Sequence, residues 1–260
     1  MKNRKLFVFA LFISILIYFY LHHPRPTRFW ENGRATAHIF HIFDQMVIDP
    51  NTGEIRIGLV TVSGSAAVVD KNGLIITNSH VVDSIMFEPE DAPPHNINIL
   101  LVCKITNGNR ECDESPTIVE INREYDLAML KTTMKFDQEV KLYPNGGLKK
   151  GDEIYFWGNV NGIPMSSLRG HYINRMEVAD LVNGSVRTFT NGKEQLIKGP
   201  FLMMDLRVGP GSSGGPMFDS LDRSIGITSM ITSEGPSTGY IIPSITIAKV
   251  FPKNNWPKVE

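Results

Sequence analysis

Gly209-Pro210-Gly211-Ser212-Ser213-Gly214-Gly215-Pro216, followed by the apolar pair Met217-Phe218, is the stretch whose reading decides the fold. A flexible linker strings Gly and Ser together without punctuation, whereas here Pro210 and Pro216 bracket the glycines and apolar, strand-like runs abut both sides, Phe201 to Val208 and Ser224 to Ile231. The loop is therefore tight and held by a core. Backbone N–H groups at such a turn, unhindered by Cβ atoms, point at a place where a carbonyl oxygen can gain charge, which is the chemistry of an oxyanion hole.

A serine hydroxyl is a weak nucleophile, so the loop predicts a base and an orienting acid elsewhere in the chain. His80 lies in Leu74-Ile75-Ile76-Thr77-Asn78-Ser79-His80-Val81-Val82, and Asp126 lies in Glu124-Tyr125-Asp126-Leu127-Ala128-Met129-Leu130. The order His, Asp, Ser is one of the three chain orders known for a catalytic triad and the one used by chymotrypsin-type double barrels. Asp126 heads an apolar run, where a carboxylate needs a partner to offset its burial, and the imidazole supplies one. Glu124 and Asp83 are the competing acids and read as solvated.

Four segments in order, Gly64-Ser65-Ala66-Ala67-Val68-Val69-Asp70, Gly73 to Val82, Asp126 to Lys131 and Gly211 to Pro216, resemble the trypsin-like serine proteases, and more closely their HtrA/Deg branch. The similarity runs from about Gly58 to Lys253. It implies an all-β protein of two six-stranded antiparallel β-barrels, a chymotrypsin-like double barrel with the site in the cleft between them, to which the sequence adds an N-terminal hydrophobic helix. It makes Ser213 the nucleophile rather than Ser212, because two glycines directly follow it, and gives the oxyanion donors as the N–H groups of Gly211 and Ser213. Ser229, in Gly226-Ile227-Thr228-Ser229, resembles the serine that supports the acid. The primary pocket is implied around Arg207, Val208, Thr228, Met230, Ile231 and Tyr240. No acidic residue occupies its base, which disfavours a preference for Lys or Arg, and Met230 and Ile231 would narrow the slot toward small or medium apolar side chains. Arg207 is unusual there.

Length and composition are those of an ordinary globular chain, 260 residues with 42% hydrophobic and 20% charged. A formal net charge of −1, without a local basic cluster, gives no electrostatic footprint for nucleic acid. Met1-Lys2-Asn3-Arg4-Lys5 is a basic flank to the apolar run Leu6 to Leu21, broken only by Ser14. Small residues of a cleavage site do not follow it, so residues 1–23 read as an uncleaved signal anchor, with a cleaved signal peptide as the alternative. The basic start would keep the N-terminus cytoplasmic and place the remainder on the periplasmic or extracellular side, membrane-bound or, second, secreted. Cys103 and Cys112 flank Asn107-Gly108, a strong hairpin signal. Counting outward from the turn, Thr106 pairs with Asn109, and Cys103 then faces Cys112 in a non-hydrogen-bonded pair, close enough for a disulfide. Two free thiols in a reducing compartment are the alternative. The histidines at 22, 23, 38, 41, 95 and 171 show no metal-ligand pattern, and neither a metal nor a cofactor is expected.

Along the chain, residues 24–53 read as a juxtamembrane linker and a short helix. In the helix, Ile39, Phe40, Phe43, Met46 and Val47 have the spacing of one face over Ala35 to Val47. From Glu54 alternation takes over, with turns at Lys71-Asn72-Gly73, Asn107-Gly108, Pro144-Asn145-Gly146-Gly147, Asn161-Gly162, Asn183-Gly184 and Asn191-Gly192. The seam at Tyr143 to Lys150 divides an N-terminal barrel, 54–143, from a C-terminal barrel, 150–253, before a tail at 254–260. Few residues follow Gly239-Tyr240-Ile241-Ile242-Pro243, so the PDZ domain usual in the branch is expected to be missing. No Arg-Ile-Val-Gly-Gly-like activation site is present. Relatives are commonly trimers, so a homotrimer is one implied assembly. The expected activity is a serine endopeptidase acting on polypeptides through an acyl-enzyme, fading as His80 protonates at roughly pH 6 to 7. The rivals are a catalytically inactive binding scaffold on the same fold, and a serine esterase.

Overall fold

The computed structural model of the chain describes residues 33–48, 53, 55–83, 97–106, 109–143, 147–176, 187–188, 194–195, 197–206, 208–231 and 239–257. The segment 1–23 expected to be an anchor, the turns expected at 107–108, 144–146, 183–184 and 191–192, and Arg207 lie outside them. Among the described residues no helix is long and apolar enough to cross a membrane.

The first half forms β1 (Thr36–Ile48), β2 (Ile55–Asp70), β3 (Leu74–Thr77), the one-turn α1 (Ser79–Val82), β4 (Asn98–Thr106), β5 (Asn109–Asp113), β6 (Thr117–Asn122) and β7 (Leu127–Lys131). They make one seven-stranded antiparallel sheet in the order β5-β4-β1-β2-β3-β7-β6. The second half forms β8 (Glu153–Val160), β9 (Ile163–Met176), the short pair β10 (Arg187–Thr188) and β11 (Glu194–Gln195), β12 (Phe201–Met204), β13 (Pro216–Asp219), β14 (Ser224–Ile231), β15 (Gly239–Pro243) and α2 (Ser244–Val250). Six of these strands close into a barrel in the order β12-β15-β14-β13-β8-β9. The all-β, chymotrypsin-like architecture is thus present. Its first sheet carries a seventh strand, β5, which pairs with β4 at the edge.

The helix expected over Ala35 to Val47 is strand β1, and the first sheet accordingly begins at Thr36 rather than at 54. The misreading has a physical cause. β1 lies between β2 and β4, and both of its faces are covered: Thr36, Ala37, His38, Ile39, His41 and Phe43 are all buried. A strand buried on both faces loses its period-two signature, and its apolar residues then match helical spacing by chance. Its content of Thr, Ile, Phe and Val favours the extended form.

Three apolar clusters follow from this layout. Ala37, Ile39, Ala66, Val68, Ile75, Val102 and Leu130 fill the first sheet, and Ile154, Phe156, Met204, Met217 and Ile241 fill the closed barrel. Between the two, Ala67, Val69, Leu74, Ile76, Leu127 and Met129 of the first half meet Trp157, Phe201, Phe218, Ile227 and Tyr240 of the second. The joint between halves is itself a core, so groups at its rim are held rigidly. The segment after β7 crosses it with Val140 N–H on Val68 C=O (2.7 Å) and Tyr143 N–H on Ser224 C=O (2.8 Å).

Local chemistry sets the turns. Asn161 and Gly162 both take positive φ, 53° and 80°, and join β8 to β9 as a two-residue hairpin with Val160 opposite Ile163. In the β4–β5 hairpin Thr106 pairs with Asn109 and Cys103 with Cys112, and the two cysteines form a disulfide at a Cα–Cα distance of 4.1 Å. Closing so short a loop stabilises the fold by about 2 to 3 kcal/mol, through the entropy it removes from the unfolded chain. His38, opposite Cys103 on β1, is pushed down to about 4, first by burial and then by Arg110, so it sits in the core as a neutral ring.

Candidate active site

Asp126 is fully buried at the point where a 3₁₀ turn, Arg123–Tyr125, runs into β7. Its backbone is left-handed (φ 54°), a conformation that Asp tolerates better than most residues, and it turns the carboxylate inward. Four donors among the described residues surround it. Oδ1 accepts from Ser79 Oγ (3.0 Å) and from the His80 backbone N–H (3.1 Å), Oδ2 accepts from Ser229 Oγ (2.8 Å), and His80 Nδ1 lies 2.9 and 3.0 Å from the two oxygens. Asn78 Nδ2 also donates to the Asp126 carbonyl at 3.0 Å. A carboxylate only accepts, so Nδ1 carries a proton, and in the neutral ring Nε2 is the basic nitrogen.

Ser213 reaches this cluster from the other half. Its hydroxyl donates to the Ser229 carbonyl across a long 3.4 Å, and Ser229 bonds Asp126 through its own hydroxyl. A Cβ placed on Gly64 would lie 2.4 Å from Val81, the neighbour of His80, and 3.3 Å from the Ser213 carbonyl oxygen. The glycine therefore lets α1 and the Ser213 loop close on each other. Ser213 of one half is thus linked through Ser229 to the Asp126–His80 pair of the other.

The loop is pinned carbonyl by carbonyl. Pro210 C=O accepts from Asn161 N–H (2.7 Å), and Gly211 C=O accepts from Ser65 Oγ (2.8 Å). Ser212 C=O accepts from Thr228 Oγ1 and from Gly215 N–H (2.9 Å), and Ser213 C=O accepts from Ser65 N–H (2.8 Å). In a trans peptide the N–H points opposite to the C=O of the preceding residue, so anchoring Pro210 and Ser212 aims the N–H groups of Gly211 and Ser213 the other way. Those two donors have no hydrogen-bond partner among the described residues, although Gly211 is buried and Ser213 half-buried. Two N–H groups aimed to one side of a tight loop have the arrangement that can receive a negatively charged oxygen.

Gly214 shows how little freedom the loop has. Its φ is +84°, and an added Cβ would lie 2.2 Å from both the Ser65 carbonyl oxygen and Thr77 Oγ1. Gly214→Ala is expected to lower the free energy of urea unfolding by on the order of 3 kcal/mol, from left-handed strain together with the clash. An unchanged unfolding midpoint would contradict this placement.

Of the residues expected in the specificity pocket, Val208, Met230, Ile231 and Tyr240 are neighbours around the β14–β15 pairing, while Thr228 turns to the loop. Thr228 is buried, with its hydroxyl committed to the Ser212 and Gly215 carbonyls (3.2 Å to the latter), so it braces the loop. Tyr240 packs edge-on against Phe201 in the core between halves, and burial raises its phenol. Val208 is in the barrel core and would stand 3.1 Å from a Cβ on Gly239. Met230 and Ile231 are in β14, paired with Tyr240 and Gly239, and their side chains lie outside the described residues. Sequence reasoning assigned no role to Ser79 or Asn78 at the carboxylate, or to Ser65 and Asn161 at the loop. The only signal for them is membership of the Gly64-Ser65 and Asn78-Ser79-His80 segments and of a turn. Among the described residues no group of three or more His, Cys, Asp or Glu could hold a metal ion.

Comparison with known proteins bears on the family and the fold. The family model of the trypsin-like peptidase domain matches residues 64–227, more than half of the chain, and the protein belongs to that family. It is 28% identical over 185 residues to a probable periplasmic serine endoprotease DegP-like of Buchnera aphidicola subsp. Baizongia pistaciae (strain Bp), covering 69% of this chain and 34% of that protein. It is also 28% identical over 206 residues to Protease Do-like 5, chloroplastic, of Arabidopsis thaliana, covering 75% of this chain and 58% of that one. The chain thus spans about a third to just over half the length of these curated relatives. Among solved structures, the Rv3671c protease from M. tuberculosis in its active form superposes with a TM-score of 0.61 at 14% identity, over 91% of this chain and 90% of that one. The HtrA-type protease AlgW with a decapeptide gives 0.59 at 20% identity, over 85% and 66%. These likenesses are of fold.

Proposed function

We propose that this protein is a serine endopeptidase that hydrolyses peptide bonds of polypeptide substrates through an acyl-enzyme. The observation that carries it is the buried Asp126–His80 pair, joined through Ser229 to Ser213 in a loop with two backbone N–H groups that have no partner among the described residues. Ser213 Oγ exchanges its long bond to Ser229 for one to His80 Nε2 and attacks the scissile carbonyl, passing its proton to the imidazole. The carbonyl oxygen, now negative, is held by the N–H groups of Gly211 and Ser213, while Asp126 steadies the imidazolium. His80 then protonates the leaving amine, and water, with its proton taken by His80 and passed on to the departing Ser213 Oγ, frees the acyl group as the carboxylic acid. The chemistry uses this chain's own side chains and backbone throughout.

The primary slot is proposed beside Val208, β14 and the Tyr240 stretch, with Arg207 before it. Met230 and Ile231 on β14 are proposed to narrow it, which favours small or medium apolar side chains in the substrate. A dominant basic residue before the scissile bond in proteome-wide cleavage profiling would refute that preference. Residues 1–23 are proposed to anchor the chain, with the protease half on the non-cytoplasmic side, and a homotrimer is the proposed assembly by likeness to the branch.

A fluorophosphonate probe tests the central reading. The intact protein should be labelled at Ser213, located by peptide mass spectrometry, at neutral to mildly alkaline pH. Absence of labelling across that range would favour a binding scaffold. Labelling with cleavage of esters but of no peptide amide would favour an esterase.

A further inference from the structure

We propose that Ser65, on β2, is a positioning residue for the oxyanion hole: from the first sheet it holds two carbonyls of the second half's catalytic loop and so keeps the N–H groups of Gly211 and Ser213 aimed at the substrate. The inference rests on the endopeptidase reading above. Ser65 is fully buried, and all its polar groups are engaged at this one place. Its N–H donates to Ser213 C=O (2.8 Å), its hydroxyl donates to Gly211 C=O (2.8 Å), and its own carbonyl accepts from Thr77 Oγ1 (2.7 Å). The hydroxyl oxygen in turn accepts from Asn159 N–H on β8 (2.8 Å). A hydroxyl has one proton, and with Asn159 occupying a lone pair, that proton is directed at Gly211. The result is a relay of fixed sense, Asn159 N–H to Ser65 O–H to Gly211 C=O, in which each bond polarises the next.

The geometry leaves the hydroxyl no other task. Ideal Cβ positions on Gly158 and Gly214 fall 2.7 Å from Ser65 Oγ and 2.2 Å from its carbonyl oxygen, so the strand, β8 and the loop are in contact only because both positions are glycine. Gly211 has φ +92°, a backbone free to rotate in the absence of a Cβ, and its N–H can turn away from the cleft unless the adjoining carbonyls are held. Asn161 fixes the peptide before it and Ser65 the peptide after it. Because Ser65 belongs to the half that carries His80 and Asp126, it also ties the hole to the base across the joint between halves. Beside it, Asn159 is buried and packs against Gly211, and its Nδ2 donates to Ser63 Oγ (2.8 Å).

Loss of one direct oxyanion donor costs about 100- to 1000-fold in kcat, and loosening a donor's support should cost somewhat less. With a short peptide p-nitroanilide ending in Ala or Val, Ser65→Ala is expected to lower kcat by roughly 30- to 100-fold with KM little changed. The Ki of the matching peptide boronic acid, whose tetrahedral adduct places an oxygen in the hole, should rise in proportion. The Kd of the parent peptide, compared between Ser213→Ala and Ser65→Ala/Ser213→Ala, should stay within about twofold, because ground-state binding does not use the hole. Ser65→Cys, which keeps a side chain of similar length but a poor donor, should fall between wild type and Ser65→Ala, and it decides the matter if the alanine variant does not fold. A folded variant with kcat within about threefold of wild type overturns the proposal, as does a loss confined to peptide Kd, which would mean a displaced pocket. Wild-type protein that neither turns over the substrate nor reacts with fluorophosphonate sinks the endopeptidase reading instead, a result read before any Ser65 variant is measured.

Discussion

Ser213→Ala is expected to leave a folded protein whose peptide-bond hydrolysis is lower in kcat by roughly a millionfold. The structural cost is small, since the hydroxyl is half-buried and its single bond, to Ser229, is long at 3.4 Å. The chemical cost is the attacking atom itself. What survives is the hole and the binding surface, together worth about a thousand- to ten-thousandfold over water in enzymes of this design. The measurement is kcat on a peptide p-nitroanilide, with far-UV circular dichroism to show that the fold is kept. Residual kcat above one part in a thousand would place the nucleophile elsewhere. Ser212 is then the rival, but it is only 2% exposed, with its carbonyl held by Thr228 and Gly215, and Ser212→Ala should retain turnover.

Much of this site was open to reading before any coordinates, and the reason is chemical. A glycine-rich turn between two apolar strands has few uses, and a histidine after Ile-Ile-Thr-Asn-Ser with an aspartate heading an apolar run supplies its natural partners. The all-β class was legible from alternation and from Asn-Gly turns, of which Asn161-Gly162 and the β4–β5 pairing appear as expected. Strand β1 was not legible, because burial on both faces erased its period. The supports of the loop were hidden for another reason. Ser65, Thr77 and Asn159 matter through register: Ser65 is brought to Gly211, 146 residues away in sequence, only because β2 and β8 meet at the joint between halves. Periodicity reports which face a side chain takes, not which carbonyl stands opposite it. Thr228 and Tyr240 show the same limit, since their place in the chain does not tell that one hydroxyl braces the loop and that the other ring packs in the core between halves.

The same bonding pattern makes Asp126→Asn the second most damaging substitution, with an expected loss of about ten-thousandfold in kcat. Asparagine accepts the left-handed backbone at 126 and nearly matches aspartate in shape, so the fold should persist. Its side chain must then choose an orientation. The position of Oδ1 faces the His80 backbone N–H, which can only donate, and Ser79 Oγ, so the amide oxygen settles there. The NH₂ group is left at the position of Oδ2, facing Ser229 Oγ and His80 Nδ1. Ser229 can rotate its hydroxyl to accept, but Nδ1 can accept only by giving up its proton, which moves the hydrogen to Nε2. The nitrogen nearest the reaction then has no lone pair for the Ser213 proton, and catalysis fails although every side chain is in place. Turnover should recover partly at high pH, where hydroxide substitutes for the lost base, while binding of a substrate peptide stays within about twofold of wild type. Ser229→Ala, which removes one of the four donors to the carboxylate and leaves the tautomer intact, should cost far less. Equal losses in the two variants would mean that Asp126 acts only by packing, and that His80 takes its orientation from elsewhere.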